Sequence, residues 1–225
     1  MLIVIEGLDG SGKSTQVDKL KEYVKSKGLK LKYIHFPRYD APIYGDLIGK
    51  FLRGGFGDIN QVHPQLVALL YALDRKDAGE QIRQWLEDED CCVVLDRYVY
   101  SNIGYQCSKL SDELEREVLR DWILELEYGV YKIPRPDVNI FLDVPLDFVS
   151  SRLASSRSGD SDRGYLAGGR DIHEESIAFQ KGVRDVYLAQ VEKDPHFLRV
   201  NCSGPDGSML APDEIFERIK EKLPF

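Results

Sequence analysis

Several features that mark other protein classes are scarce in this 225-residue sequence. Its four cysteines, Cys91, Cys92, Cys107 and Cys202, show no CxxC spacing, which excludes the usual zinc and disulfide patterns and favours buried thiols. No apolar run reaches the roughly 18 residues of a membrane span, and the start MLIVIEG lacks the basic segment of a secretory signal. We therefore expect a cytoplasmic protein.

Positive charge is also in deficit. The chain carries 30 Lys and Arg residues against 38 Asp and Glu residues, a net charge of −8. Such a surface does not attract polyanions, which argues against nucleic acid as a partner. Any phosphate that the protein binds must then be held by locally placed cations and backbone N–H groups.

The length and composition predict one globular domain, residues 1–225, because 43% of the residues are hydrophobic and no repeat or long polar tract occurs. One stretch, about 155–170, departs from this composition. It reads SSRSGDSDRGYLAGG over 155–169 and has almost nothing apolar to bury. Long polar loops inside compact domains often cover active sites, so we predict a mobile lid here.

Short apolar runs alternate with helical patterns along the chain, which predicts an α/β fold with a parallel sheet flanked by helices. The runs are 2–6, 31–36, 91–96, 138–143 and 197–201. Three helical faces are marked by Val17, Leu20 and Val24, by Leu66, Leu69, Leu70 and Leu73, and by Leu114, Val118, Trp122 and Leu126. Gly28 is placed to end the first helix, and Pro145 to begin another.

A phosphate-binding loop follows the first predicted strand. Residues 7–14, GLDGSGKS, match GxxxxGK[ST] between a strand and a helix, the context that the motif requires. We expect Lys13 to bridge the β- and γ-phosphates of ATP, and Ser14 with the strand-end Asp96 to hold Mg²⁺. The predicted ATP-binding residues are Gly7, Leu8, Asp9, Gly10, Ser11, Gly12, Lys13, Ser14 and Thr15.

The loop alone leaves the acceptor open, because kinases, GTPases and mechanical ATPases share it. The chain has no Asn-Lys-x-Asp sequence for guanine and no polymer-binding module, which favours a small-molecule acceptor. Transfer between phosphates needs cations against charge repulsion. The candidate arginines are Arg38, Arg75, Arg97, Arg157, Arg163 and Arg170, although each alone could be a solvated surface charge.

Five ordered motifs over nearly the whole length make the chain similar to the thymidylate kinases. They are IEGLDGSGKST, FPRY at 36–39, YALDR at 71–75, DRYVYSNIGYQ at 96–106 and the Arg-rich lid. The resemblance implies a P-loop kinase fold with a five-stranded parallel sheet and a closing lid. It further implies phosphorylation of dTMP to dTDP by ATP with Mg²⁺, and a homodimer.

The resemblance also implies roles for individual residues. Arg97 and Arg38 would meet the acceptor phosphate, while Arg75 and Asn102 would read the thymine edge. The implied substrate-binding set is Phe36, Arg38, Tyr39, Arg53, Tyr71, Arg75, Arg97, Ser101, Asn102 and Tyr105. Phe36 and Tyr71 would pack on the base and Tyr105 would crowd the sugar 2′ position, with core packing as the alternative for both tyrosines.

Catalysis is assigned by the same resemblance to Asp9, Lys13, Arg97, Arg157 and Arg163. Some family members carry an arginine after the loop aspartate, where this chain has Gly10, so we expect the transition-state arginine to come from the lid. Arg170 is a further candidate. The segment with Asp171, His173 and Glu174 resembles one that lines the nucleotide site, or it caps the next helix.

Two other functions remain open on the sequence. One is a kinase of the same architecture that acts on a deoxynucleoside or on another nucleoside monophosphate. The other is a nucleotide switch without catalysis, which would bind ATP but transfer nothing.

Overall fold

The computed structural model describes residues 1–57, 61–155 and 177–225. The strands are β1 (Leu2–Gly7), β2 (Lys30–His35), β3 (Cys91–Asp96), β4 (Val138–Asp143) and β5 (Phe197–Asn201). The helices are α1 (Lys13–Ser26), α2 (Tyr44–Leu52), α3 (Pro64–Leu86), α4 (Val99–Cys107), α5 (Glu113–Leu124), α6 (Leu146–Ser155), α7 (Ile177–Lys193) and α8 (Pro212–Lys220). A π-helical segment, Glu125–Val130, directly continues α5.

The five strands form one sheet in the order β2-β3-β1-β4-β5, and every pair is parallel. The predicted α/β fold with a parallel sheet and flanking helices is confirmed. Because all strands run the same way, their carboxyl ends meet at one edge, where ligands bind in open α/β sheets. Ile5 of β1 is paired with Asp96 of β3 near this edge, and Gly7 with Leu142 of β4.

The core lies on both faces of the three central strands, whose residues are all buried. Phe141 of β4 is fully buried and stacks on Tyr187 of α7, with ring centroids 4.7 Å apart. The four cysteines are buried and unpaired, as the sequence predicts. Such a core leaves little room for a change of side-chain volume.

The apolar faces that the sequence marks on α3 and α5 are only partly buried. The leucine and valine patterns of α3 and α5 predict helices correctly, but Leu66, Leu114 and Val118 are more than 60% exposed. Small residues of α3, such as Ala68 and Ala72, face inward instead and allow a close approach to the rest of the fold. In the described ranges, none of the helices has the length and apolarity to cross a lipid bilayer.

Replacing Phe141 tests the contact between the sheet and α7. We expect Phe141→Ala to lower the free energy of unfolding by about 3–5 kcal/mol, because it leaves a cavity against Tyr187. Val130→Ala, at a side chain that is 62% exposed, should change it by less than about 0.5 kcal/mol. Chemical denaturation with a two-state fit gives both values. Equal stability of the two variants would contradict this account of the core.

Candidate active site

The predicted phosphate-binding loop connects β1 to α1. Gly10 and Gly12 have φ angles of 70° and 81°, the left-handed region that glycine enters without strain. An added Cβ at Gly12 would meet nothing within 4 Å, so the backbone conformation alone calls for glycine there. This geometry brings backbone N–H groups and the first turn of α1 together, which is an anion-binding arrangement.

Lys13, at the start of α1, is turned back onto the loop. Its Nζ donates to the Leu8 carbonyl oxygen at 2.6 Å, and the residue is 8% exposed. Burial and the neighbouring Arg97 lower the pKa of Lys13 to about 8, against the opposing charges of Asp96 and Asp9. The amine lies within the loop, where a triphosphate would offer it a better acceptor. The predicted Ser14 and Thr15 follow on the exposed side of α1.

Asp9 and Arg97 form an ion pair between the loop and the end of β3. Arg97 also donates from Nη1 to the Gly7 carbonyl oxygen at 3.1 Å and to Ser101 Oγ at 3.2 Å. The second Asp9 oxygen accepts from the Tyr105 hydroxyl at 2.8 Å. Burial raises the pKa of Asp9, but the nearby Arg97 and Lys13 outweigh it and hold the pKa below its usual value.

A residue that the sequence analysis missed holds Asp9 from the opposite side. Gln180 of α7 is fully buried, and its Nε2 donates to Asp9 Oδ2 at 3.0 Å. Its Oε1 accepts from the Asp9 backbone N–H at 3.3 Å. The available signal was a glutamine in helical register with Val183 and Tyr187, a position that normally carries an apolar side chain.

Glu6, also missed, is a fully buried carboxylate at the end of β1. It accepts from the backbone N–H groups of Tyr98 and Ser101 at 2.8 and 3.1 Å, and from the Tyr187 hydroxyl at 3.1 Å. Burial raises the pKa of Glu6. These bonds tie β1 to the start of α4 and to α7 directly beneath Arg97.

Arg97 has a φ of 66°, which is rare for a residue with a side chain. Its backbone N–H nevertheless donates to the Ile5 carbonyl oxygen at 2.9 Å. Such strain persists only where the surroundings enforce it, and it concentrates at functional sites. From this turn the guanidinium reaches the phosphate-binding loop, where it contacts Gly7 and Asp9.

The residues predicted to hold Mg²⁺ are suited to it. Asp96 is 3% exposed, and its Oδ1 has no hydrogen-bond partner among the described residues. Its Oδ2 lies 3.3 Å from His35 Nδ1. No group of three or more metal-binding side chains occurs in the described ranges. Mg²⁺ in nucleotide sites usually takes one or two protein oxygens besides water and phosphate, which Asp96 and the Ser14 hydroxyl can supply.

A pocket of about 520 Å³ opens beside this cluster. It contains eight residues of the predicted substrate and catalytic sets together with Asp9, and adds Pro37, Leu52 and Gln106, which were not predicted. The predicted members are Phe36, Tyr39, Tyr71, Arg75, Arg97, Ser101, Asn102 and Tyr105. The mix of aromatic walls with a few polar groups is typical of a ligand site.

At the inner end of the pocket, Arg75 and Asn102 are held by the buried Glu127. Arg75 donates from Nε and Nη2 to the two carboxylate oxygens at 2.5 and 2.7 Å. Asn102 Nδ2 donates to Glu127 and to the Ala68 carbonyl oxygen, both at 3.0 Å. Asn102 Oδ1 is buried without a partner among the described residues. The pocket therefore offers an unused acceptor beside a buried cation.

Arg38 and Arg53 do not line the pocket as the described residues form it. Arg38 is bound by the acidic side chains of α3, donating to Asp74 at 2.8 Å and to Asp77 at 2.6 Å. Arg53 follows α2 and is exposed. Their contact with a substrate stays a prediction.

The predicted lid residues Arg157, Arg163 and Arg170 lie outside the described residues, as do Asp171, His173 and Glu174. Only the first residue of the predicted lid, Ser155, is part of a described helix, α6.

A P-loop at the carboxyl edge of a parallel sheet, next to a pocket with a buried arginine, defines a phosphotransferase of the P-loop kinase class. Comparison with known proteins narrows this class. The family model described as "Thymidylate kinase" matches residues 5–208. The chain is 32% identical over 221 residues to the thymidylate kinase of Mycobacterium tuberculosis, covering 96% of this chain and 99% of that protein.

It is 35% identical over 229 residues to the probable thymidylate kinase of Methanosphaera stadtmanae, with 99% of each chain covered. The solved thymidylate kinase of Candida albicans superimposes with a TM-score of 0.68 at 28% identity, over 98% of this chain and 89% of that chain. The chain belongs to the thymidylate kinase family, ATP-dependent nucleoside monophosphate kinases that phosphorylate dTMP to dTDP.

Gln180→Ala tests whether α7 positions Asp9. We expect kcat/KM for dTMP to fall at least about tenfold, because Asp9 loses a side-chain partner and its backbone partner together. Gln190→Ala is the matched control, a buried glutamine of the same helix that instead contacts Arg120. Steady-state kinetics and thermal melts of both variants are compared. A similar kinetic loss in the two variants would show that general loosening of α7 is the cause.

Proposed function

We propose that this chain transfers the γ-phosphoryl group of ATP to dTMP, with ATP on the phosphate-binding loop and dTMP in the adjoining pocket. The observation that carries the proposal is the unused, buried acceptor of Asn102 beside Arg75. An unpaired buried polar atom is costly, and a ligand with a matching donor removes that cost. Thymine offers both the N3–H donor for Asn102 and the O4 acceptor for Arg75.

With the thymine edge at Asn102 and Arg75, the rest of dTMP would extend through the pocket toward the phosphate-binding loop. Phe36 and Tyr71 would flank the base, and Tyr105 would lie against the sugar, since all three line the pocket. Arg97, at the loop end of the same pocket, would bind the acceptor phosphate. Asp9 orients Arg97 through their ion pair. The acceptor monoester is already a competent nucleophile, so positioning and charge stabilisation supply most of the acceleration.

Lys13 would exchange its Leu8 contact for the β- and γ-phosphates, and the loop N–H groups would bind the remaining oxygens. Asp96 and Ser14 would hold Mg²⁺ directly or through water. When bound, Mg²⁺ supplies positive charge that shields the phosphates of ATP. On sequence grounds, Arg157 and Arg163 of the predicted lid would stabilise the transition state.

The proposal extends to the whole molecule. Residues 1–225 would form one domain with a lid near 155–170, located in the cytoplasm and without nucleic acid as a partner. For the homodimer, the exposed apolar side chains Leu66 of α3 and Leu114 and Val118 of α5 are candidate interface residues. The net charge of −8 supports the exclusion of nucleic acid.

A coupled ADP-release assay with Mg·ATP tests the reaction and the acceptor together. With dTMP, dUMP, dCMP, dGMP, UMP and thymidine as acceptors, we expect dTMP to give the highest kcat/KM. Lys13→Ala should reduce turnover at least about 100-fold, because the transferring phosphate loses its bridging cation. Lys19→Ala, a half-buried lysine of the same helix, should keep near-parent turnover. Faster phosphorylation of thymidine than of dTMP would refute the assigned acceptor.

Asn102→Ala tests the readout of the base edge. The variant lacks the acceptor for N3–H, so we expect the preference for dTMP over dCMP to fall at least about tenfold, with dTMP and dUMP affected alike. The ratio of kcat/KM values gives the preference, and KM for ATP serves as the internal control. A preference equal to that of the parent protein would remove Asn102 from base recognition.

A further inference from the structure

Behind the pocket lies a carboxylate that is not one of its lining residues. Glu127 is fully buried and belongs to the π-helical segment Glu125–Val130. The wider turn of this segment is closed by a bond from the Tyr131 N–H to the Leu126 carbonyl oxygen at 2.8 Å. π-Helical turns often occur at functional sites, because they change the direction in which a helix presents its side chains. Here the turn presents Glu127 to two residues that line the pocket.

The first of these residues, Arg75, is fixed in plane by Glu127. Its Nε and Nη2 groups donate to separate oxygens of the carboxylate at 2.5 and 2.7 Å. A two-bond contact between a guanidinium and a carboxylate sets orientation as well as distance. Arg75 is 2% exposed, so water does little to compete with this contact. Nη1 is the part of the guanidinium that Glu127 does not bind.

The second residue, Asn102, is fixed in amide orientation. Its Nδ2 donates to Glu127 Oε1 and to the Ala68 carbonyl oxygen, both at 3.0 Å. Both neighbours can only accept, so a flipped amide would place its oxygen against two other oxygens. Oδ1 must therefore point away from them, and it has no partner among the described residues.

We propose that Glu127 is a specificity-determining positioning residue, which holds a donor on Arg75 and an acceptor on Asn102 toward the base. This inference rests on the proposed function, in which those two residues read thymine. Thymine and uracil present an acceptor at C4 and a donor at N3, which complement this pair. Cytosine presents the reverse at both positions and meets donor against donor and acceptor against acceptor.

The role depends on two acceptor oxygens and not on the shape of the side chain. In Glu127→Gln the new amide NH₂ must face either Arg75 Nε or the shared position of Arg75 Nη2 and Asn102 Nδ2. In the first arrangement the new NH₂ group faces the Nε–H donor of Arg75. That hydrogen bond is lost, and the guanidinium is free to rotate. The second favours a flipped Asn102, with its NH₂ group toward the base and a complementary partner for cytosine N3.

The experiment compares Glu127→Gln and Glu127→Asp with Glu125→Gln, a control at an exposed carboxylate of the same π-helical segment. Steady-state kinetics are measured with dTMP, dUMP and dCMP at saturating Mg·ATP. For Glu127→Gln we expect the dTMP-to-dCMP ratio of kcat/KM to fall at least about tenfold, through KM, with kcat for dTMP within about threefold of the parent value. KM for dTMP and dUMP should rise together.

If Glu127 served only to fill space, the two variants would be impaired in the opposite order. Gln has nearly the size of Glu, whereas Asp is one methylene shorter, so a space-filling role makes Asp the more damaging change. A charge and acceptor role makes Gln the more damaging change, because Asp keeps the carboxylate and part of its contacts. Loss of folded protein would lower apparent kcat and leave KM unchanged. Glu127→Gln with parent-like preference, or with no greater loss than Glu127→Asp, would overturn the proposal.

Comparison with Asn102→Ala separates a failure of this inference from a failure of the proposed function. If Asn102→Ala changes the dTMP-to-dCMP ratio and Glu127→Gln does not, this inference fails while the proposed function stands. If neither variant changes the ratio, the assigned base readout itself fails. Should Glu127→Gln not fold, Glu127→Asp is compared with Glu125→Asp. The shorter carboxylate cannot serve Arg75 and Asn102 fully at once, so an unchanged preference in that variant also overturns the proposal.

Discussion

The buried carboxylate of Glu6 is the contact on which the geometry of the active site depends. It sits at the end of the central strand and accepts the first N–H groups of α4, where the helix dipole favours an anion. These bonds fix the start of α4 to β1 directly after Arg97, whose backbone has a φ of 66°. The same region carries the ion pair of Arg97 with Asp9, and residues of α4 line the pocket beside it.

The charged groups of the site are arranged in pairs that a substrate can use or replace. Asp9 pairs with the partly buried Arg97, and Glu127 pairs with the buried Arg75, so both arginines are held in place before any ligand arrives. Lys13 is different, because its partner is a neutral carbonyl oxygen of its own loop. Pre-paired arginines lower the cost of reorganisation on binding, whereas the lysine is held by a contact weak enough to be given up. In the proposed arrangement, the arginines around the acceptor are therefore held by ion pairs, whereas Lys13 at the donor can exchange its partner.

The fold was largely predictable from the sequence, because β-branched runs and a P-loop impose local geometry that tertiary contacts do not override. Three of the five predicted strands match the observed limits. The exposed sides of α3 and α5 were not predictable, since apolar spacing alone does not distinguish a core from another surface. Glu6, Gln180 and Glu127 were missed for a different reason. Each acts through a partner far away in the chain, and even the helical register of Gln180 with Val183 and Tyr187 does not reveal which residue it contacts.

The two edges of the sheet constrain how the protein can associate. The outer strand β2 carries Lys30, paired with Asp88, and Lys32, whose amine lies 5.5 Å from the Trp85 ring. The opposite edge strand, β5, carries Arg199, which binds Asp143. Charged side chains along an edge oppose the addition of a further strand from another molecule. Growth of the sheet from copy to copy is thus disfavoured at both ends, which favours association through the helical layers.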